Sequence, residues 1–282
     1  MSNQLKNIPT KTNPKFGIIA PVEYLSEYAI QSSFHLTLAH LVDTNEEYAA
    51  FYRERSELGD FIICDNGAFE LGESYEPSKL VSLAEKCGAD VVVLPDYPFC
   101  PGSKTIAAAS RVIDKVKAAG FKTMFVPQSE KGDMEDWMDT YSWATYEEDI
   151  DLIGMSILGI PNALPHIPKS YARVVMTQLL IDRGFVFDKY HHYLGVNAGM
   201  GLEIPTLVMC NAINSCDSSN PVWHGILGHE YSLNTDSLLP TKKINMSVQF
   251  DIKRTNDKET HRRIQHNINL TMKTFKLPGS FL

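Results

Sequence analysis

The stretch Ala89-Asp-Val-Val-Val-Leu94-Pro-Asp96, followed after a helical interval by Gly120-Phe-Lys-Thr123-Met-Phe-Val126-Pro-Gln128, decides the fold. Each half is a short, β-branched apolar run that ends in a proline and a polar side chain. Between them Ile106, Ala109, Val112, Ile113 and Val116 recur at helical spacing, with Ser103 as a candidate N-cap and Gly120 as a stop. One unit earlier, Leu80, Leu83, Ala84 and Cys87 repeat the helical pattern between Pro77 and Gly88. Strand followed by helix is the repeating unit.

Working outward, further apolar runs occur at Phe61–Cys64, Leu152–Met155, Tyr193–Val196 and Ala212–Ser215, and earlier ones at Phe16–Ala20 and His35–Leu41. About eight strands alternate with helices, the number that closes a parallel barrel. Most are apolar on both faces, as strands between a packed barrel interior and an outer helix ring must be. The expectation is a single-domain α/β protein with a (β/α)8 TIM-type barrel over residues 1–282; a doubly wound open sheet is the alternative. After Asp217 the pattern predicts a long loop, a last strand at Lys243–Gln249, and a closing basic helical segment over about 253–276.

The chain's 282 residues suit one such barrel, and 44% hydrophobic residues supply its core. There is no apolar leader at the N-terminus and no run of eighteen apolar residues, so a cytoplasmic protein without membrane contact is expected. Five scattered cysteines (Cys64, Cys87, Cys100, Cys210, Cys216) read as reduced thiols. A net charge of -8 argues against wholesale nucleic-acid coating, so any polyanion must meet a local basic patch. The candidate is Lys253, Arg254, Arg262 and Arg263, with Lys258, Lys273 and Lys276 nearby; a solvated helix face is the plainer reading.

Catalytic groups of such barrels gather where strands end. Those ends here carry Asp65-Asn66-Gly67, Asp96, Gln128, Ser156 to Gly159, Asn197 to Gly199, and Asp217-Ser-Ser. A lone strand-end aspartate is as often a helix N-cap as a catalyst. Three aspartates and a glutamine at successive ends favour chemistry. Asp65 and Asp217 would open onto one cleft, one attacking a carbon while the other moves a proton, as exchange at a sugar carbon requires. Asn66-Gly67 would turn the Asp65 carboxylate toward that cleft, Gly159 or Gly199 would let backbone approach a planar ligand, and Phe69 or Tyr97 would stack on it.

In order along the chain, these motifs resemble the tRNA-guanine transglycosylase-like superfamily. Asp65-Asn-Gly-Ala-Phe-Glu70 is similar to that family's Asp-Ser-Gly-Gly-Phe-Gln element, whose Asp handles the proton; Asp96 and Gln128 look like its base-recognising pair, Leu158-Gly159 like its base-binding turn, and Asp217 falls where its nucleophile lies. No cysteine follows Cys216, so the zinc module of the tRNA-acting members is missing. The chain is therefore more similar to phage and bacterial 7-deazaguanine DNA transglycosylases.

The resemblance implies exchange of guanine in DNA for a 7-deazaguanine such as preQ0, through an Asp217-linked intermediate. No cofactor and no metal would be needed, and the setting would be the cytoplasm, a host's if phage-encoded. Exchange on tRNA is the alternative within the class, and a helper protein or a homodimer would be compatible with either substrate. Outside it stand a nucleotide-binding barrel without activity, a hydrolytic N-glycosidase, and a metal hydrolase using His35, His40, His191, His192, His224 or His229. The last is poorly patterned, because His35 with His40, and His191 with His192, point to opposite strand faces.

Overall fold

The computed structural model describes residues 6–196, 200–232 and 248–276. Eight short strands, β1 (Lys15–Ile18), β2 (Phe34–Leu38), β3 (Phe61–Asp65), β4 (Val91–Val93), β5 (Lys122–Phe125), β6 (Leu152–Gly154), β7 (Tyr190–Tyr193) and β8 (Ser215–Ser218), form one sheet. Its order is β1-β8-β7-β6-β5-β4-β3-β2, and every pairing is parallel. Helices fill the connections, so the sheet curls into a nearly closed (β/α)8 barrel, and the open-sheet alternative is set aside.

Strand pleating explains the two apolar layers. Alternate residues such as Phe34, Leu36, Phe61, Ile63, Val91 and Met124 fill the barrel's interior, while Ile62, Cys64, Val92 and Phe125 face outward into the helices. The interval between β4 and β5 holds two helices, Gly102–Ser110 and Ile113–Ala118, rather than one beginning at Ser103.

Register places the site. Leu38 lies beside Asp65 in the β2–β3 ladder, and Gly17 beside Asp217 in the β1–β8 ladder. Paired residues of parallel strands face the same side, so both aspartates point into the barrel mouth at the strands' C-terminal ends.

Two strands are displaced from their expected positions. β7 is Tyr190–Tyr193 rather than Tyr193–Val196, and β8 is Ser215–Ser218 rather than Ala212–Ser215. Both carry polar side chains inward where a buried strand would be apolar. The predicted strand at Lys243–Gln249 falls mostly outside the described residues, as does Asn197-Ala-Gly199. The closing helix is Lys258–Lys273: Asp257 caps it, accepting from Glu259 N and Thr260 N, and Ile264, Asn267, Ile268 and Thr271 form its buried face. That face packs on the helix Asn220–Ile226, where Asn267 Nδ2 donates to the Pro221 carbonyl.

Candidate active site

A cleft of about 480 Å³ opens at the C-terminal mouth of the barrel, within the ~300–1,000 Å³ usual for small-ligand sites. Asp65, Asn66, Phe69, Asp96, Gln128 and Asp217 all line it. Asp65 and Asp217 keep only 8% and 5% exposure, and what remains open faces this shared space.

Asp65 ends β3, and the next two residues bend the chain sharply. Gly67 at φ +74° permits the left-handed turn that a side chain would strain, and its N–H donates to Asp65 Oδ2 at 3.1 Å. Burial, then the neighbouring carboxylates Glu70, Asp96 and Asp217, push the Asp65 carboxyl well above the ordinary carboxylate range, against the Gly67 donor. A raised carboxyl holds its proton longer, which is what a group that must deliver one requires.

Asn66 is a bracket. Its Nδ2 donates to the Leu94 carbonyl and to Asp96 Oδ1, both at 2.7 Å, while its Oδ1 accepts from Ala68 N. It lines the cleft, but its amide is used within the protein, so its role is to hold Asp96 and start the helix Ala68–Leu71.

Asp96 receives Asn66 on one oxygen and Gln128 Nε2, at 2.6 Å, on the other. Burial pushes its carboxyl up to about 6 in spite of those two donors. A carboxylate has about four acceptor positions, so two remain for a ligand's N–H groups.

The Gln128 Nε2 donor, half of the base-recognising pair that the resemblance implies, is thus engaged by Asp96, and Gln128 Oε1 is buried with no protein partner. Gly159 accounts for that placement, since a Cβ there would lie 2.7 Å from Gln128 Oε1. Gly159 is buried behind the cleft wall, its N–H donates to Ser156 Oγ, and the close approach it permits is by Gln128 rather than by a ligand. Ile157 and Leu158 form the cleft surface in its stead.

Asp217, on β8, accepts His192 Nε2 and Gly195 N, each at 3.0 Å on Oδ1. His192 points into the barrel, whereas its neighbour His191 faces outward to the Tyr141 hydroxyl, so the adjacent histidines do diverge. His35 is elsewhere, bonded to Asp60 beside Arg55. Between Asp217 and Asp65 the wall is apolar, made by Ile19, just past β1, and by Leu36 and Leu38 of β2.

Three contributors escaped sequence reasoning. His192, weighed only as a metal ligand, lies just ahead of the strand expected at Tyr193–Val196 and inside the strand that forms. Glu70 closes the Asp65 motif; its residue is open at the mouth, yet desolvation on the cleft side and then Asp217 push its carboxyl up to about 7. Lys169 brings a cation to the rim.

Phe69 stands exposed at the mouth, free to cover a flat ligand, while Tyr97 is turned under Lys104, whose Nζ sits 4.0 Å from the ring centroid.

Lys253, Arg254, Arg262 and Arg263 do not line the cleft. Lys253 pairs with Glu23 at 2.5 Å and Arg254 with Glu27 at 2.7 Å. Arg262 bonds Glu259 and Glu230, and Arg263 lies 3.6 Å from Glu259 and donates to the Gly225 carbonyl. These four side chains are paired with acids, of which Glu23, Glu27 and Glu230 come from remote positions and Glu259 from the same helix.

Among the described residues no helix is long and apolar enough to cross a membrane. No protein-family model matches the chain, and no curated protein matches it.

Proposed function

We propose that this protein is a transglycosylase that exchanges guanine in DNA for a 7-deazaguanine base. The observation that carries the reading is that Asp65, Asp217 and the hydrogen-bonded Asp96–Gln128 pair all line one cleft. The order of these residues along the chain is also that of the transglycosylase motifs they resemble.

In this mechanism Asp96 accepts the N1 and amino protons of guanine, a recognition that only an acceptor can give. Asp217 attacks C1′; the glycosidic C–N bond breaks, its electron pair leaves with the base, and the Asp65 proton neutralises the departing guanine. The incoming 7-deazaguanine then gives its ring N–H proton to the Asp65 carboxylate. Its nitrogen attacks C1′ and displaces Asp217. Two inversions give net retention. Asp65 begins and ends protonated, and its raised pKa suits both halves of the cycle. Phe69 covers the base, and a duplex would have to flip its guanine out to enter.

The wall of Ile19, Leu36 and Leu38 favours deoxyribose. In a pose that sets the base against Asp96 and Gln128 and the sugar on Ile19, Leu36 and Leu38, a ribose 2′-hydroxyl turned to that wall would lose water and meet no polar side chain of it. An unsatisfied hydroxyl costs about 1–3 kcal/mol, roughly a five- to 150-fold preference for DNA. Such a reaction fits the cytoplasm, where nucleic acid, free base and reduced thiols coexist.

The test is incubation of the protein with DNA, and separately with tRNA, in the presence of labelled guanine. Incorporation into DNA supports the proposal, incorporation only into tRNA moves the substrate to RNA, and release of guanine without incorporation identifies a hydrolase.

A further inference from the structure

We propose that Tyr190, Ser215 and His192 form a hydrogen-bond relay inside the barrel that positions Asp217 for attack. The inference rests on the base-exchange reading for its kinetic consequence, though not for its geometry. The Tyr190 hydroxyl donates to Ser215 Oγ at 2.6 Å, Ser215 Oγ meets His192 Nδ1 at 2.7 Å, and His192 Nε2 meets Asp217 Oδ1 at 3.0 Å.

The relay runs from the phenol to the carboxylate. Burial pushes the Tyr190 phenol upward, so it stays protonated and donates. Ser215 Oγ, already an acceptor, turns its own hydrogen to Nδ1. In the relay we propose, the ring is uncharged and its proton then lies on Nε2, aimed at Asp217. His192 is fully buried, with its ring centroid 5.5 Å from that of Phe34. Buried polar groups are tolerated only when satisfied, and this stack is satisfied only because it ends on the carboxylate.

The second donor to the same oxygen is equally well fixed. Gly195 N reaches Asp217 Oδ1 from a loop whose carbonyls are held by Arg173: Nη1 donates to Leu194 O and Nη2 to Gly195 O, both at 2.9 Å. Arg173 is itself buried and locked bidentately on Glu203 at 2.7 Å. Both donors therefore converge on Oδ1, and among the described residues none meets Oδ2. The relay assigns one oxygen to anchoring and presents the other to C1′. His192 is thus a positioning residue, acting through Asp217.

The test combines a spectroscopic reading of the resting protein with kinetics. In protein labelled with ¹⁵N-histidine, the imidazole assigned by its loss in His192→Ala should be neutral, protonated at Nε2 and hydrogen-bonded at Nδ1. Ser215→Ala should remove the Nδ1 signature, and Tyr190→Phe should weaken it. In single-turnover exchange, His192→Ala should slow covalent-intermediate formation by about 100-fold, the loss expected for a reacting group misplaced by ~1 Å, with KM for the free base unchanged. His192→Gln, whose amide N–H can replace Nε2–H, should recover part of it.

An imidazolium or an Nδ1–H tautomer in the wild-type protein overturns the relay. So does a wild-type rate in a folded His192→Ala variant. Absence of exchange on any nucleic acid would refute the function instead, and the ¹⁵N spectrum would still decide the relay.

Discussion

Replacing Asp96 with asparagine should make the protein more stable at neutral pH while removing its ability to recognise a base. The Asp96 carboxyl is pushed from an ordinary 3.8 up to about 6, first by burial, and the donors from Asn66 and Gln128 recover only part of the lost hydration. A raised native pKa means that stability is complete below the unfolded value and is lost as pH rises through the folded one. The shift is about 2 units, and at 1.36 kcal/mol per unit the ionised form costs the fold about 3 kcal/mol. Asp96 is only 3% exposed, so solvent screening does not reduce this figure. The asparagine carries no charge at any pH; Gln128 can rotate its amide to pair with it. Urea unfolding of wild type and Asp96→Asn at pH 4 and pH 8 isolates the effect, because local packing changes cancel between the two pH values. The variant's advantage should grow by about 2–3 kcal/mol between them. A difference that does not move with pH would show that Asp96 is not held against its ionisation, and the argument for a desolvated recognition carboxylate would be wrong.

Other expectations follow from the same geometry. Leu38→Asn places an amide beside Asp65 on the apolar wall and should raise exchange on ribose substrates by about 10-fold or more relative to deoxyribose; competition between matched RNA and DNA oligonucleotides reads the ratio, and an unchanged ratio would remove β2 from sugar discrimination. Glu70 ionises near pH 7, where its charge would support the positive character developing at C1′. The kcat/KM profile should therefore rise through about pH 7 in the wild type, and Glu70→Gln should flatten that limb; a limb that survives belongs to another group. Arg262→Gln should leave the salt dependence of DNA binding unchanged, since Arg262 is already bonded to Glu259 and Glu230. A fall of about one in the slope would mean that it contacts a phosphate instead.

The barrel was legible where the chain is apolar. Val91–Val93 and Leu152–Gly154 fall inside the predicted runs because their side chains are buried on both faces. β7 and β8 were misplaced by about three residues for a physical reason: His192, Ser215 and Asp217 face inward there, so polarity marks a strand where hydrophobicity was sought. The same fact concealed His192 as a partner of Asp217.

Strand-end polarity led to Asp65, Asp96, Gln128 and Asp217, which the fold brings to one cleft. It could not show that Asn66 is spent on Asp96 or that Gly159 serves Gln128, because those contacts join strands about 30 residues apart. Nor could a one-dimensional charge run reveal that the remote Glu23, Glu27 and Glu230 would pair with Lys253, Arg254 and Arg262.

The central claim is that the Asp217 carboxylate becomes bonded to a sugar carbon. Quenching a reaction of the protein with guanine-containing DNA in denaturant, then mapping any protein–DNA adduct by peptide mass spectrometry, tests it most directly. The account predicts an adduct on Asp217 that disappears when free guanine or a 7-deazaguanine is added, and that Asp217→Asn never forms. Exchange of labelled guanine by an Asp217→Asn protein at the wild-type rate, or an adduct on a different residue, would contradict it.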